Sequence, residues 1–311
     1  MRRLTSTILV LFFLIPNSFA QTEEIVSLET DFGKLEGTLM TPEGNKKFPL
    51  ALIIAGSGPT DRDGNNTVMK NNSLKMLAKG LANNGIGSLR YDKRGVGNSK
   101  EAGIEESDLR FENYIEDAKG WVALLNKDKR FKKFIIIGHS QGSLIGMIAS
   151  QSKNVDKYVS IAGVGRPAAD ILREQLAAQP PIVLEYAEPI LKKLEKGETT
   201  EEVPPALYSL FRPSVQSYMI SWFKYNPQVE IAKLDKPILI IQGTTDIQIT
   251  VFDANKLSEA NNKAEKLIIE GMNHVLKESV IDRPQNIATY SDPELPLING
   301  LIEKIAIFIN H

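Results

Sequence analysis

The chain contains no cysteine among its 311 residues. This absence excludes a thiol nucleophile, a disulfide framework, thiolate metal ligands and a lipid anchor attached to cysteine. Histidine is also scarce, with three residues, so few side chains are available as a general base near neutral pH. The formal charge is −1 and no basic block is present. The composition therefore argues against nucleic acid as a partner.

The N-terminal apolar segment is too short to cross a membrane. It spans residues 8–15, follows Arg2 and Arg3, and precedes small residues at Ser18 and Ala20. This arrangement is typical of a secretory signal peptide over residues 1–20, since a membrane-spanning helix needs ~20 apolar residues. We expect cleavage near Ala20 and a periplasmic or secreted protein without a stable membrane anchor. An uncleaved anchor is the alternative.

Strand-like apolar runs alternate with helical segments along the chain. Residues 48–55 form a continuous apolar run, which is typical of a strand covered on both faces. Residues 24–40 alternate around a turn at 31–33 and predict an antiparallel pair of strands. The alternation predicts an α/β fold, with a mostly parallel sheet flanked by helices. Further strands are expected at 87–91, 134–137, 158–162, 237–242 and 266–269, and helices at 74–82, 107–126 and 297–310.

Residues 165–228 interrupt this alternation, and we refer to them as the cap segment. They contain eight prolines and no run typical of a buried strand, while 169–178 and 182–194 predict small helices. Because the segment lies between two predicted core strands, we expect a helical cap inserted into a core of residues 21–164 and 229–311. Its aromatic residues predict either an apolar pocket or the core of the cap itself: Tyr186, Tyr208, Phe211, Tyr218, Trp222, Phe223 and Tyr225.

A nucleophile motif follows the predicted strand 134–137. Residues 138–142 read Gly-His-Ser-Gln-Gly, and a stretch that favours a helix comes next. A tight turn between strand and helix exposes one serine hydroxyl at the carboxyl edge of the sheet, and glycines on either side avoid a clash there. The helix start also directs N–H groups toward an oxyanion. We therefore predict Ser140 as a nucleophile.

A serine nucleophile needs a general base, which the three histidines must supply. His139 adjoins the serine, and we expect it to be a packed supporting residue. His311 ends the chain, where fraying is common. His274 lies in a loop after the predicted strand 266–269, where functional groups gather in such sheets. We predict His274 as the base.

The base in turn needs a carboxylate that orients it. Asp246 follows the predicted strand 237–242, and the order serine, aspartate, histidine is the one that proteins with this strand-turn-helix motif use. We predict Asp246 as this acid. Asp170, which follows the preceding strand, is the alternative, and Asp253 is disfavoured because it is expected to begin a helix.

The oxyanion of such a reaction needs two N–H donors. Gln141 offers one at the helix start, and Ser57 offers the other from the glycine-rich loop 56–64, whose glycines allow the backbone to approach a ligand. A phosphate-binding role for this loop is disfavoured because it lacks the order Gly-x-x-x-x-Gly-Lys-Ser/Thr. The sequence predicts no cofactor.

Taken together, these motifs resemble the α/β-hydrolase superfamily over most of the chain after residue 20. Ala55 stands where many relatives carry a histidine that organises the loop, and this departure does not threaten catalysis. The long loop 56–65 looks like exported bacterial hydrolases near the dienelactone-hydrolase and serine-aminopeptidase branches. The segments that carry the resemblance are 56–58, 90–99, 138–142, 243–246 and 271–274.

The resemblance implies an enzyme that hydrolyses a small-molecule carboxylic ester through an acyl-enzyme. A serine peptidase or amidase acting on short peptides is one alternative, and an inactive exported binding protein is another. A metal enzyme is disfavoured, because two usable histidines without cysteine are a poor zinc ligand set. Asp92 and Arg94 are expected to form a structural ion pair. The sequence specifies neither an oligomeric state nor the acyl and alcohol groups of the ester.

Overall fold

The structure is a computed structural model that describes residues 21–44 and 47–311. The predicted signal peptide, residues 1–20, lies outside the described residues. Within the described part of the chain, no helix combines the length and the apolar character that a membrane span requires.

One eight-stranded sheet forms the centre of the molecule. In sequence order its strands are β1 (Thr22–Thr30), β2 (Gly33–Thr41), β3 (Phe48–Ile54), β4 (Gly87–Tyr91), β5 (Phe131–His139), β6 (Lys157–Ile161), β7 (Ile238–Gly243) and β8 (Glu265–Ile269). The spatial order is β1-β2-β4-β3-β5-β6-β7-β8. β2 pairs antiparallel with β1 and β4, and all the other pairings are parallel. The mostly parallel α/β sheet predicted from the sequence is confirmed.

Helices connect the strands and cover both faces of the sheet. In sequence order they are α1 (Ser73–Asn83), α2 (Phe111–Leu125), α3 (Gln141–Ala149), α4 (Ala168–Ala177), α5 (Pro181–Glu195), α6 (Tyr208–Phe211), α7 (Pro213–Phe223), α8 (Pro227–Ala232), α9 (Val251–Ala260), α10 (Arg283–Ala288) and α11 (Leu301–Asn310). Single 3₁₀ turns lie at Gly97–Ala102, Pro205–Leu207 and Thr289–Ser291.

Two helices begin later than their sequence patterns predict. α2 starts at Phe111 rather than 107, because the Asn113 side chain accepts the Arg110 N–H at 2.8 Å and caps the helix there. α11 starts at Leu301 rather than 297, because Gly300 has φ of 82°, a conformation that ends helical geometry on its N-terminal side.

The central strand β3 shows why its apolar run is continuous. Leu52 and Ile54 face a core layer that contains Trp121 of α2, while Ala51 and Ile53 face the layer under α1 and α11. Side chains alternate across a strand, so a strand covered on both faces needs apolar residues at every position. Full burial of each large aliphatic side chain contributes roughly 1.5–3 kcal/mol.

The cap segment contains α4 to α7 and the start of α8, so its predicted helices are present. These helices enclose an apolar cluster of their own, which includes Leu191, Phe211 and Met219. Phe111 of the core stacks on Trp222 of the cap segment with ring centroids 6.1 Å apart. The cap segment therefore has its own small core and an aromatic contact with the main one.

Candidate active site

Ser140 occupies a strained turn between β5 and α3. Its φ of 55° and ψ of −123° lie outside the regions that side-chain-bearing residues normally adopt. The Ser140 N–H donates to the Ile161 carbonyl at 3.0 Å, and the Ser143 N–H donates to the Ser140 carbonyl at 3.0 Å. Backbone strain of this kind typically amounts to roughly 1–3 kcal/mol and persists where the surroundings enforce it.

The two glycines of the motif are required by close backbone packing. A Cβ atom at Gly138 would lie 2.3 Å from the Gly142 carbonyl oxygen. A Cβ atom at Gly142 would lie 2.4 Å from the Ile54 carbonyl oxygen, at the end of β3. The expected clash is confirmed, and α3 can approach β3 only because both positions lack a side chain.

Asp246 and His274 meet at the carboxyl ends of β7 and β8. His274 Nδ1 lies 2.8 Å from Asp246 Oδ2, and both residues are buried, with 5% and 4% of their surface exposed. The backbone N–H groups of Gln248 and Ile249 donate to Asp246 Oδ1 at 2.8 and 3.0 Å. The Gln242 side-chain amide donates to Oδ2 at 3.1 Å. The carboxylate is therefore fixed from three directions.

The surroundings of Asp246 keep it ionised. Burial by itself would raise the pKa of this carboxyl, but the His274 charge, the hydrogen bond from His274 and the two backbone N–H donors together hold the pKa below its ordinary value. An ionised carboxylate accepts a hydrogen bond, so it favours the tautomer with the proton on His274 Nδ1. The other ring nitrogen, Nε2, is then free to accept a proton.

Ser140 and His274 line one narrow cavity, the catalytic cleft, which has a volume of about 120 Å³. Within residues 21–44 and 47–311, Ser140 Oγ makes no hydrogen bond to the imidazole. Catalytic hydrogen bonds are often long without substrate and shorten when it binds. The structure thus brings the predicted nucleophile, base and acid to one edge of the sheet, while their catalytic roles stay predictions.

The alternative acids lie elsewhere and have other partners. Asp170 is on α4, half-exposed, 3.5 Å from Arg173. Asp253 is buried in α9 and pairs with Arg166 at 2.8 Å. Among the carboxylates of the described residues, only Asp246 has a hydrogen bond to the His274 ring.

The predicted oxyanion donors lie close to Ser140. Ser57 and Gln141 line the same large cavity as Ser140. A Cβ atom at Gly56 would lie 3.1 Å from Ser140 Cβ, so the loop after β3 passes directly beside the nucleophile. Within the described residues, neither the Ser57 N–H nor the Gln141 N–H donates to a protein acceptor. Two unpartnered N–H groups beside a serine match the requirement of an oxyanion.

Lys93 supports this loop, and sequence reasoning missed it. Its ammonium donates to the carbonyl oxygens of Gly56 and Gly58, each at 2.5 Å, and lies 5.6 Å from the centre of the Tyr114 ring. The residue is 2% exposed, and burial lowers its pKa to about 7. Lys93 therefore fixes the carbonyls on both sides of Ser57. The sequence offered no signal beyond a lysine in a turn after β4.

His139 supports the loop of the base. Its Nε2 donates to the His274 carbonyl oxygen at 2.8 Å, and the two rings lie 4.9 Å apart. Burial, followed by the proximity of His274, lowers the pKa of His139 to about 4, so its ring is neutral at pH 7. As expected from the sequence, His139 is a packed supporting residue.

Asp92 and Arg94 do not pair with each other, which corrects the expectation of a single ion pair. Asp92 Oδ2 binds Arg62 at 2.7 Å and also accepts the Asn98 N–H at 2.9 Å. Arg94 instead pairs with Asp117 of α2 at 2.5 Å. Sequence proximity suggested one contact, but the turn directs the two side chains to different partners.

The aromatic residues of the cap segment divide between the two expected roles. Tyr218 and Trp222 line the large cavity beside Ser140, which has a volume of about 670 Å³. Phe211 is buried in the apolar cluster of the cap segment. Tyr186 and Tyr208 are more than half exposed. One part of the set therefore faces the candidate site, and another part stabilises the cap segment.

Comparisons with known sequences point to hydrolases. Residues 70–204 match the Hydrolase_4 family model, described as serine aminopeptidase, S33. The chain is 28% identical to esterase EstD of Thermotoga maritima over 269 residues, which is 85% of this chain. The match covers 62% of EstD, so this chain spans less than two thirds of that relative.

Solved structures share the fold. Est1E from Butyrivibrio proteoclasticus superposes with a TM-score of 0.62 at 17% identity, covering 92% of this chain and 99% of Est1E. Est1E is also known with ferulic acid bound. A dienelactone hydrolase from Anabaena variabilis superposes with a TM-score of 0.53 at 16% identity, covering 94% of this chain and 98% of its own. With its mostly parallel sheet, its turn at Ser140 and these superpositions, the chain has the α/β-hydrolase fold.

Proposed function

We propose that the protein is a serine hydrolase of carboxylic esters. One observation carries this proposal most directly, namely the arrangement around Ser140. His274, joined to Asp246 at 2.8 Å, lines one cavity with Ser140, and Ser57 and Gln141 line another cavity with it. Within the described residues, the N–H groups of Ser57 and Gln141 have no protein acceptor. A base and two free N–H donors beside a serine are what acyl transfer requires.

In the first half-reaction, Ser140 Oγ attacks the ester carbonyl carbon while His274 Nε2 accepts the hydroxyl proton. The carbonyl oxygen becomes an oxyanion, which the Ser57 and Gln141 N–H groups stabilise. Asp246 holds the ring orientation and stabilises the positive charge that develops on His274. When the intermediate collapses, the bond to the alcohol oxygen breaks and His274 returns the proton to that oxygen.

In the second half-reaction, water takes the place of the alcohol. His274 accepts a proton from the water as its oxygen attacks the acyl-enzyme carbonyl, and the same N–H groups bind the second oxyanion. Collapse breaks the bond to Ser140 Oγ, which regains its proton from His274. The products are one alcohol and one carboxylic acid, and the enzyme returns to its starting state.

The comparisons favour esters over amides. EstD is named an esterase, and the ferulic acid bound to Est1E is a carboxylic acid. The family model's description as a serine aminopeptidase keeps a peptidase as the second candidate. Turnover of a p-nitrophenyl ester and of an aminoacyl-p-nitroanilide by the same preparation separates the two candidates. Faster cleavage of the anilide contradicts the proposal.

Substitution of Ser140 tests the catalytic role itself. Loss of the nucleophile lowers kcat by roughly 10⁶ where the three residues act as a unit. The test compares p-nitrophenyl butanoate hydrolysis by wild type and Ser140→Ala, with Ser57→Ala as a control, since the proposed role of Ser57 uses its backbone N–H. Equal rates of ester hydrolysis by wild type and Ser140→Ala contradict the proposal.

Covalent labelling distinguishes the proposed enzyme from an inactive binding protein with the same fold. A fluorophosphonate probe reacts with an activated serine, so wild type is expected to be labelled and Ser140→Ala is not. Absence of label on the wild type favours the binding protein.

We also propose that the protein is exported and that residues 165–228 act as a cap. The N-terminal pattern of residues 1–20 supports export. N-terminal sequencing of the protein from the native cell envelope or medium is expected to begin near Gln21. An intact N-terminus contradicts cleavage.

A further inference from the structure

Two large chambers extend from the catalytic cleft between the cap segment and the core. One is the cavity of about 670 Å³ lined by Ser57 and Gln141, and we call it the oxyanion-side chamber. The other has a volume of about 700 Å³ and is bounded by α4, α10 and residues 206–210. We call it the histidine-side chamber. Leu172, Gln175 and Leu210 line both chambers and form the partition between them.

The catalytic cleft adjoins both chambers, because it shares lining residues with each of them. It shares Ser57 and Ser140 with the oxyanion-side chamber. It shares Met69 and Tyr290 with the histidine-side chamber, while Gln248 lines all three cavities. A molecule with its reacting carbon at Ser140 can therefore extend in two directions.

The chemistry of the proposed reaction decides which half of an ester takes which direction. The carbonyl oxygen must point to the Ser57 and Gln141 N–H groups, whereas the alcohol oxygen must lie next to His274, which protonates it. His274 lines the catalytic cleft and neither chamber, and in the cleft it lies with Met69 and Tyr290, which also line the histidine-side chamber. The alcohol therefore leaves the reacting carbon on the side where Met69 and Tyr290 lead into the histidine-side chamber.

We propose that the histidine-side chamber binds the alcohol half of the substrate and the oxyanion-side chamber binds the acyl half. The substrate class is then an ester of a bulky, uncharged, apolar alcohol. This proposal rests on the proposed ester hydrolysis and adds the specificity that the reaction alone does not define.

The lining of the histidine-side chamber sets the chemistry of its occupant. Its walls carry aliphatic side chains from the cap segment, among them Leu176, Val183 and Leu207, and Ile287 from the core. One of its two charged residues, Glu174, is already paired with Arg166, and the other, Arg283, is exposed. Chambers of ~300–1,000 Å³ commonly enclose most of a ligand of several rings. An apolar wall of this size favours a ring system over a short alkyl or charged alcohol.

Three esters distinguish the proposed roles of the two chambers: ethyl butanoate, 2-naphthylmethyl butanoate and ethyl 2-naphthylacetate. The readout is kcat/KM from acid release at constant pH, which does not depend on a coloured alcohol. For wild type we expect the naphthylmethyl ester to exceed ethyl butanoate by at least about 10-fold, because the chamber removes the ring system from water.

Chamber-filling variants then test the assignment. Ala178 is exposed and lines the histidine-side chamber, whereas its neighbour Ala177 is exposed and lines neither chamber. Ala178→Trp is expected to lower the preference for the naphthylmethyl ester at least 5-fold, and Ala177→Trp to leave the preference at the wild-type value. Ile287→Trp, which fills the chamber from the core side, is expected to act like Ala178→Trp. Val96→Trp in the oxyanion-side chamber is expected to lower turnover of ethyl 2-naphthylacetate instead.

Two outcomes overturn the assignment. One is an unchanged preference in both Ala178→Trp and Ile287→Trp, with thermal melts showing that both variants are folded. The other is loss of the naphthylmethyl preference in Val96→Trp. A wrong proposed function gives a different result: wild type then hydrolyses none of the three esters at a rate that depends on Ser140.

Discussion

The loops at the carboxyl edge of the sheet and the cap segment are built in different ways. Around Ser140, positions are set by the backbone, through the positive φ of Ser140 and glycines in close contact with neighbouring chain segments. In the cap segment, positions are set by side chains that pack around Leu191 and Phe211. The backbone conformation of a loop changes little when its side chains are substituted, whereas the packing of a side-chain core changes with each substitution. We therefore expect substitutions in the loops to affect the proposed reaction and substitutions in the cap segment to affect the choice of substrate.

The charged groups of the two regions also differ in how deeply they are buried. Asp246, Lys93 and His139 are buried, and each has a displaced pKa. One charged contact that ties the cap segment to the core, Arg212 with Glu106, is about one third exposed. Buried charges are strongly coupled to their surroundings, while exposed pairs are screened by water. Substitutions at the sheet edge should therefore have much larger effects than substitutions at the cap contacts.

The largest effect is expected for Asp246→Asn. The amide cannot stabilise the imidazolium and favours the wrong tautomer of His274, so kcat for a short ester should fall by roughly 10⁴. Steady-state kinetics at pH 7.5 measures the loss. Asp170→Asn is the matched control in the cap segment and is expected to stay within 2-fold of wild type. A large loss in Asp170→Asn and none in Asp246→Asn reverses the assignment of the acid.

The next effect concerns stability in acid and centres on His139. Its native pKa of about 4 lies below the unfolded value near 6.5, so the unfolded state binds the proton more readily in that interval. The free energy of unfolding is therefore expected to fall as the pH drops from 6.5 to 4, by roughly 3 kcal/mol from this residue. Urea unfolding at several pH values measures it.

His139→Gln is the matched variant, because it keeps an N–H donor for the His274 carbonyl but has no group that titrates. Its free energy of unfolding should depend less on pH over the same interval. Identical slopes for wild type and variant contradict this role of His139.

A smaller effect is expected for Lys93→Met, which removes both hydrogen bonds to the loop around Ser57. Leaving buried carbonyl groups without a donor typically corresponds to a loss of about 1–3 kcal/mol. We expect kcat to fall about 10- to 100-fold with little change in KM, since the loop acts on the oxyanion more than on the bound ester. Lys119→Met, on the exposed face of α2, is the control. A rise in KM alone contradicts a positioning role for Lys93.

The smallest effect is expected at the contact between the cap segment and the core. Arg212→Met removes the partly exposed pair with Glu106 and should lower the free energy of unfolding by no more than about 1 kcal/mol. Arg94→Met leaves the buried Asp117 without its partner and should lower it by about 3–5 kcal/mol. Thermal or urea unfolding measures both. Equal losses contradict the difference drawn between the two regions.

Much of the fold is predictable because its signals are local. The run at 48–55 and the motif at 138–142 each contain the pattern that dictates strand β3 or the turn at Ser140. Helix starts were less predictable, since a cap from Asn113 and the positive φ of Gly300 override the apolar spacing. Such single-residue effects are weak signals in a sequence.

The supporting residues of the candidate site depend on contacts between distant segments. Lys93 follows β4, and the loop around Ser57 follows the neighbouring strand β3. The hydrogen bonds from Lys93 to this loop join segments that are distant in the sequence, so no local pattern predicts them. The partition between the chambers likewise brings Leu172 of α4 together with Gln248 of the acid loop. Local patterns predicted the candidate reacting groups, whereas tertiary packing alone determines what holds them in place and what lines the cavities beside them.

The positive φ of Ser140 has a consequence for how this protein can evolve. A glycine at this position would adopt the same backbone without strain, so Ser140→Gly is expected to be inactive yet at least as resistant to unfolding as Ser140→Ala. Selection for stability and selection for activity therefore act in opposite directions at this one residue. A serine in this strained turn, where glycine would be more relaxed, is what the proposed role of Ser140 as nucleophile predicts.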